Sequence, residues 1–119
     1  MSKDKQRLVD YLSHILEAIE RIDRYCGQMT KESFLDNELI QDAVVRNLEI
    51  IGEASRNIER HHQEFALAHA DIPLAFAYQM RNAIAHGYFK IDWEIVWTTI
   101  QKDLPRFHAL IRAARAEQA

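Results

Sequence analysis

Leu8, Leu12, Ile15, Ile19, Ile22 and Cys26 follow one another at steps of four and three, with Glu17, Glu20, Arg21, Asp23 and Arg24 between them. Apolar residues at that spacing line one side of an α-helix. A first helix is therefore predicted over 4–26, closed by Gly27. Ile40, Val44, Leu48, Ile51 and Ile58 form a second stripe, which predicts a long helix from Glu38 to His61 with Asp36 or Asn37 as its N-cap. Leu39, Ala43 and Ile50 widen that stripe, so this helix should touch more than one neighbour. Gly52 and Ala54 permit a close helix approach there. Between the two helices, Thr30 can cap a short helical turn that tucks Phe34 and Leu35 inward, although Ser33 stands where a full capping box has an acidic residue.

A third helix is predicted to start at Asp71-Ile72-Pro73, with the proline at an early position that tolerates it. Phe76, Ala77, Met80, Ala83 and Ile84 should face inward, and Gly87 should stop it. Asp92 caps a fourth helix carrying Trp93, Trp97, Ile100, Leu104, Phe107 and Ile111, with a kink expected at Pro105 and a fraying tail from Arg112 to Ala119. The reading is all-α: an antiparallel helical bundle of four main helices with a short extra helical turn, one domain over 1–119. Only 3 glycines and 2 prolines in 119 residues agree with long helices and short connections.

Charge changes the picture of what the chain binds. With 15 basic and 18 acidic residues the net charge is −3, too acidic for bulk electrostatic binding of nucleic acid. Any RNA contact must be local, or be built by assembling subunits. The single Cys26 rules out an internal disulfide framework and fits a reducing cytosol. No apolar run approaches the ~18 residues of a membrane span, so a soluble, cytoplasmic protein is expected. His61, His62 and His69 match no zinc spacing and have no thiolate partners, so no metal site is expected.

The candidate chemistry sits at the end of the third helix, in Met80-Arg81-Asn82-Ala83-Ile84-Ala85-His86-Gly87-Tyr88-Phe89. At about 100° per residue, Arg81, Asn82 and His86 share one arc opposite Met80 and Ile84. A permanent cation, an amide, an imidazole and, just beyond, the Tyr88 phenol make a kit suited to a phosphodiester. A solvated helix end, with His86 favoured by the helix dipole, is the plainer reading of the same residues. Among the interspersed polar residues of the second helix, Arg46 and Glu53 read as a structural salt bridge or a dimer contact before they read as catalytic.

Arg81, His86 and Tyr88 together spell R-x-x-x-x-H-x-Y, which resembles the signature of the HEPN superfamily and of its HepT-like toxins in particular. Two further blocks carry the resemblance, Gln41 through Ala54 and Ile91 through Trp97 with Asp103-Leu104-Pro105. Gly87 departs from the acidic residue often found there. The resemblance implies a HEPN-like helical bundle that forms a homodimer and cleaves RNA, tRNA or mRNA included, without metal or other cofactor. His86 would be general acid or base, Arg81 would hold the phosphate, and Asn82 would orient the phosphate or fix His86. It also implies a partner, a minimal nucleotidyltransferase (MntA-like) antitoxin, which silences the toxin by AMPylation of Tyr88 to O-AMP-tyrosine. The alternative is a non-catalytic helical-bundle partner module of a nucleotidyltransferase.

Overall fold

The structure, a computed structural model, describes residues 3–86 and 91–118. The described chain is a helix-rich bundle without strands: α1 (Lys3–Cys26), α2 (Lys31–Leu35), α3 (Glu38–His61), α4 (Gln63–Ala68), α5 (Leu74–His86), α6 (Trp93–Thr98), a π-helical turn (Thr99–Asp103) and α7 (Leu104–Glu117). α3 packs against both α1 and α5, and α7 packs against α1. The predicted stripes form the centre. Leu12, Ile15 and Ile22 of α1, Val44 and Ile58 of α3 and Ile111 of α7 are fully buried. Each such side chain contributes about 1.5–3 kcal/mol relative to leaving it in water.

The helix ends follow local chemistry. The Ser33 backbone N–H donates to Thr30 Oγ1 at 3.1 Å, and the Thr30 N–H donates to Ser33 Oγ at 3.0 Å. The box is therefore complete without an acidic residue, because a hydroxyl can accept as a carboxylate does. The turn buries Phe34 against Trp97 and Trp93, with ring centroids 5.2 and 6.2 Å apart. Buried Gln41 donates to the carbonyls of Phe34 and Leu35 at 3.0 and 3.1 Å, satisfying the end of α2. Asn37 caps α3, its Oδ1 accepting from the Ile40 N–H at 3.0 Å.

Several expectations are corrected. Leu39 is exposed, because it lies in the first turn of α3 before that helix is covered on both sides. Phe76 is exposed and so is Ala83, while Met80 and Ile84 are half-buried and, among the described residues of α5, Leu74 and Ala77 are buried. This follows from packing: α5 leans on α3, and between α5 and α7 lies an apolar cavity of about 320 Å³, with Phe76 and Met80 on one wall and Phe107 and Leu110 on the other. The 61–71 link is largely helical, because Phe65 docks into the core and draws α4 with it. The tail does not fray from Arg112; α7 continues to Glu117, held by buried Ala114 and by Arg115, which donates to Ser13 Oγ at 3.4 Å.

The irregularity of the last helix precedes Pro105. The Leu104 N–H donates to the carbonyl of Thr99, five residues back, and Thr99 Oγ1 donates to the Ile95 carbonyl at 2.9 Å. In a regular helix the ring of Pro105 would collide with the carbonyl four residues earlier. The wide turn relieves that, and places Pro105 in the first turn of α7, where no N–H is needed.

Candidate active site

Arg81 enters the site because α3 lets α5 come close. A Cβ added at Gly52 would stand 2.2 Å from Arg81 Cβ, 2.9 Å from its Cγ and 3.0 Å from the Ala77 carbonyl oxygen. The arginine stem thus lies directly across the backbone of α3, and the close approach anticipated at Gly52 is used at this residue. One turn of helix away, Tyr78 donates its hydroxyl to Glu59 at 2.9 Å, a second tie between α5 and α3. That bond is the leading reason the phenol ionises above its ordinary range.

The guanidinium is held on two sides. Its Nη1 donates to Asn82 Oδ1 at 3.0 Å, and its Nη2 lies 3.4 Å from Glu53 Oε2. Its Nε is buried and unpartnered among the described residues. With Glu53 more than half exposed, this ion pair is worth about 0–1 kcal/mol. A phosphate, which can engage an arginine through two parallel bonds, competes with it readily.

Beside Arg81 opens a polar cleft of about 350 Å³ between α1 and α3, lined among others by Tyr11, His14, Arg46, Glu49, Glu53 and Asn57. Of the sequence candidates, Arg81 and Asn82 are brought together, with the Asn82 amide bound to the guanidinium. α5 carries the backbone of His86 as its last residue, one turn beyond Asn82. The His86 side chain, Gly87 and Tyr88 lie outside the described residues. Glu53 is a salt-bridge residue, as its sequence context suggested, and its partner is Arg81 itself. Tyr11, His14 and Asn57 were not singled out from sequence. Arg46, Glu49, Glu53 and Asn57 recur at steps of three and four along α3, a polar ribbon that periodicity could have revealed. Among the described residues no group of three or more His, Cys, Asp or Glu side chains could hold a metal ion, and no helix is long and apolar enough to cross a membrane.

A family model described as "Ribonuclease HepT-like" matches residues 15–114, nearly the whole bundle and the Arg81 segment with it. The chain belongs to the HepT-like ribonuclease family. This HepT-like chain is 42% identical over 96 residues to "Probable ribonuclease HepT" of Thermococcus cleftensis, covering 81% of the chain and 84% of the relative. It is 33% identical over 102 residues to a "Putative RNase" of Caldanaerobacter subterraneus, covering 86% and 88%. A Methanocaldococcus jannaschii protein named "Gamma-glutamylcyclotransferase and putative RNase" matches at 38% identity over 81% of the chain and only 42% of its own length. No solved structure matches. The all-α bundle agrees with a HEPN-like fold, and the HepT-like chain is thereby an enzyme of the ribonuclease class.

Proposed function

We propose that this chain is the toxin of a HepT/MntA-type toxin–antitoxin pair: a cytoplasmic, homodimeric, metal-independent ribonuclease acting on tRNA or mRNA and silenced by AMPylation of Tyr88. The observation that carries the reading is the family match running through the segment whose arginine stands at the mouth of a polar cleft with a weakly held head. His86 takes the proton of a ribose 2′-hydroxyl, whose oxygen attacks the adjacent phosphorus. The 2′-O–P bond forms, the P–O5′ bond breaks, and the departing 5′-oxygen takes up a proton, the second His86 of the dimer being the natural donor. An imidazole titrates near working pH and suits both tasks. Arg81 offsets the negative charge gathering on the phosphoryl oxygens. Asn82 holds the Arg81 fork through the bond described above.

Pairing two subunits concentrates two Arg81 side chains, which offsets the net charge of −3. Transfer of AMP to Tyr88 would add bulk and negative charge to the same signature segment and oppose entry of an RNA phosphate. The test is incubation of antitoxin-free protein with total cellular RNA in excess EDTA, beside His86→Ala. Cleavage by the wild type alone supports the reading. Cleavage by neither, with both proteins dimeric, transfers the case to a non-catalytic nucleotidyltransferase partner. Intact mass after incubation with the antitoxin and ATP should rise by AMP units in the wild type and not in Tyr88→Phe.

A further inference from the structure

We propose that the cleft between α1 and α3 is a nucleotide subsite, which seats the nucleotide flanking the scissile phosphate, with Arg46 on that nucleotide's far phosphate and Glu49 reading its base. The inference deepens the ribonuclease reading and rests on it.

The cleft extends along α3 from Arg46 to Asn57, and Arg81 reaches it at the level of Glu53. Arg81 sits at the level of Gly52 and Glu53, and Arg46 lies two helical turns before Glu53, about 10 Å along the axis. Two guanidiniums on long stems at that separation can reach the two phosphates on either side of one nucleotide. Arg46 is exposed and has no ion pair among the described residues, so its head is available. The volume, about 350 Å³, falls at the lower end of the roughly 300–1,000 Å³ typical of small-ligand sites, which suits one nucleotide and not a strand.

The lining charges decide the kind of ligand. Two arginines face two glutamates, so the cleft has no net pull on a polyanion. It offers cations at two levels for phosphates and, between them, Glu49 as an acceptor for donors. Glu49 is half-buried and, when ionised, accepts only. A carboxylate there favours a base presenting an amino group and disfavours one presenting a carbonyl, as carboxylates accept from the cytosine 4-amino group in nucleic-acid recognition. Asn57, one turn beyond Glu53, can both donate and accept. On the α1 side Tyr11 is half-buried, its ring edge-on to His62 with centroids 6.0 Å apart. Its contact with His62 sets it at the end of the cleft away from Arg46. Cytosine presents an amino donor at the 4-position where uracil presents a carbonyl, and a carboxylate facing that position makes cytosine the better occupant of the two.

The test reads binding without cleavage. Short 2′-O-methyl oligocytidylate and oligouridylate cannot be cut by 2′-oxygen attack, and their affinity is followed by fluorescence anisotropy. Wild type should prefer oligocytidylate by about tenfold, and Glu49→Gln should abolish that preference while leaving oligouridylate binding in place. Arg46→Gln should weaken both by about tenfold and raise KM for cleavable RNA with little change in kcat. Both substituted positions are polar and away from the core, so unchanged Tm confirms the fold. Equal affinity of the wild type for the two oligonucleotides, no binding of either, or wild-type constants in both variants would each overturn the subsite. If the subsite holds but no RNA is cleaved in EDTA, it is the nuclease reading that fails. If RNA is cleaved and both variants behave as wild type, the subsite falls and the nuclease reading stands.

Discussion

Replacing Gly52 by alanine sets two opposing effects against each other. Alanine in a helix interior is favoured over glycine by about 0.8–1.0 kcal/mol, so on propensity alone the variant would be more stable. The added methyl, however, would stand 2.2 Å from Arg81 Cβ and 3.0 Å from the Ala77 carbonyl oxygen. Carbon atoms pack at roughly 3.5–4.0 Å, and neither neighbour can turn away: one is the root of a side chain and the other is backbone. α5 must therefore withdraw from α3 by about an ångström. Overpacking of this kind costs about 1–3 kcal/mol, and the absence of any rotatable escape puts this site in the upper half of that range. The net expectation is a loss of about 1–2 kcal/mol, which for a chain of this length lowers Tm by about 4–8 °C. Catalysis should suffer more than stability, because a displacement of about 1 Å at a group that positions substrate can cost about a hundredfold. Thermal unfolding by circular dichroism and cleavage of RNA in EDTA measure the two. A raised Tm with undiminished cleavage would show that helix propensity wins and that the contact between Gly52 and Arg81 does not set the site.

Phe34→Ala should lower stability by about 3–5 kcal/mol, since the ring is fully buried against Trp93 and Trp97; the urea midpoint should fall with its slope unchanged, and native tryptophan emission should shift to the red. Asp92→Ala removes the carboxylate that accepts from the N–H groups of Glu94 and Ile95 at 3.1 and 3.2 Å, and should cost about 1 kcal/mol, seen as a modest drop in Tm. Burial, aided by Asp23, pushes the Cys26 thiol up to about 11, so iodoacetamide at mildly alkaline pH should modify the unfolded chain and spare the folded one. Between an ordinary value of 9.0 and about 11 the unfolded state loses a proton that the folded state keeps. Stability should therefore decline as pH rises through that window, and the decline should be weaker in Cys26→Ala.

The long helices were legible because their apolar residues keep step over six turns, as Leu12, Ile15 and Ile22 do in α1. α4 was not, because six residues with one buried phenylalanine carry too little periodicity to stand out from a loop. Phe76 misled for a different reason. Its spacing places it on the apolar side of α5, but whether that side is covered depends on how far α7 stands away, and no local pattern encodes a distance between helices 30 residues apart in the chain. At the site, Arg81 and Asn82 were found from spacing and Gly52 from its lack of a side chain. The pairing of Glu53 with Arg81, and the cleft they border, depend on which turn of α3 faces which turn of α5. That alignment is fixed by packing and cannot be counted along the chain.

The π-helical turn at Thr99–Asp103 amounts to one residue too many for a regular helix. The wide turn absorbs that residue, so the flanking helices keep the faces they would have in a chain one residue shorter. Removing one of those five residues would let the segment close as regular α-helix, since four residues at about 100° each turn the chain about as far as the five of the wide turn. Trp93 and Trp97 would stay on Phe34 and Val96 in the core, but Pro105 would meet the carbonyl it now avoids. The wide turn is a phase correction for the surplus residue, letting one continuous run of chain serve two different neighbours: α2 before it and α1 after it.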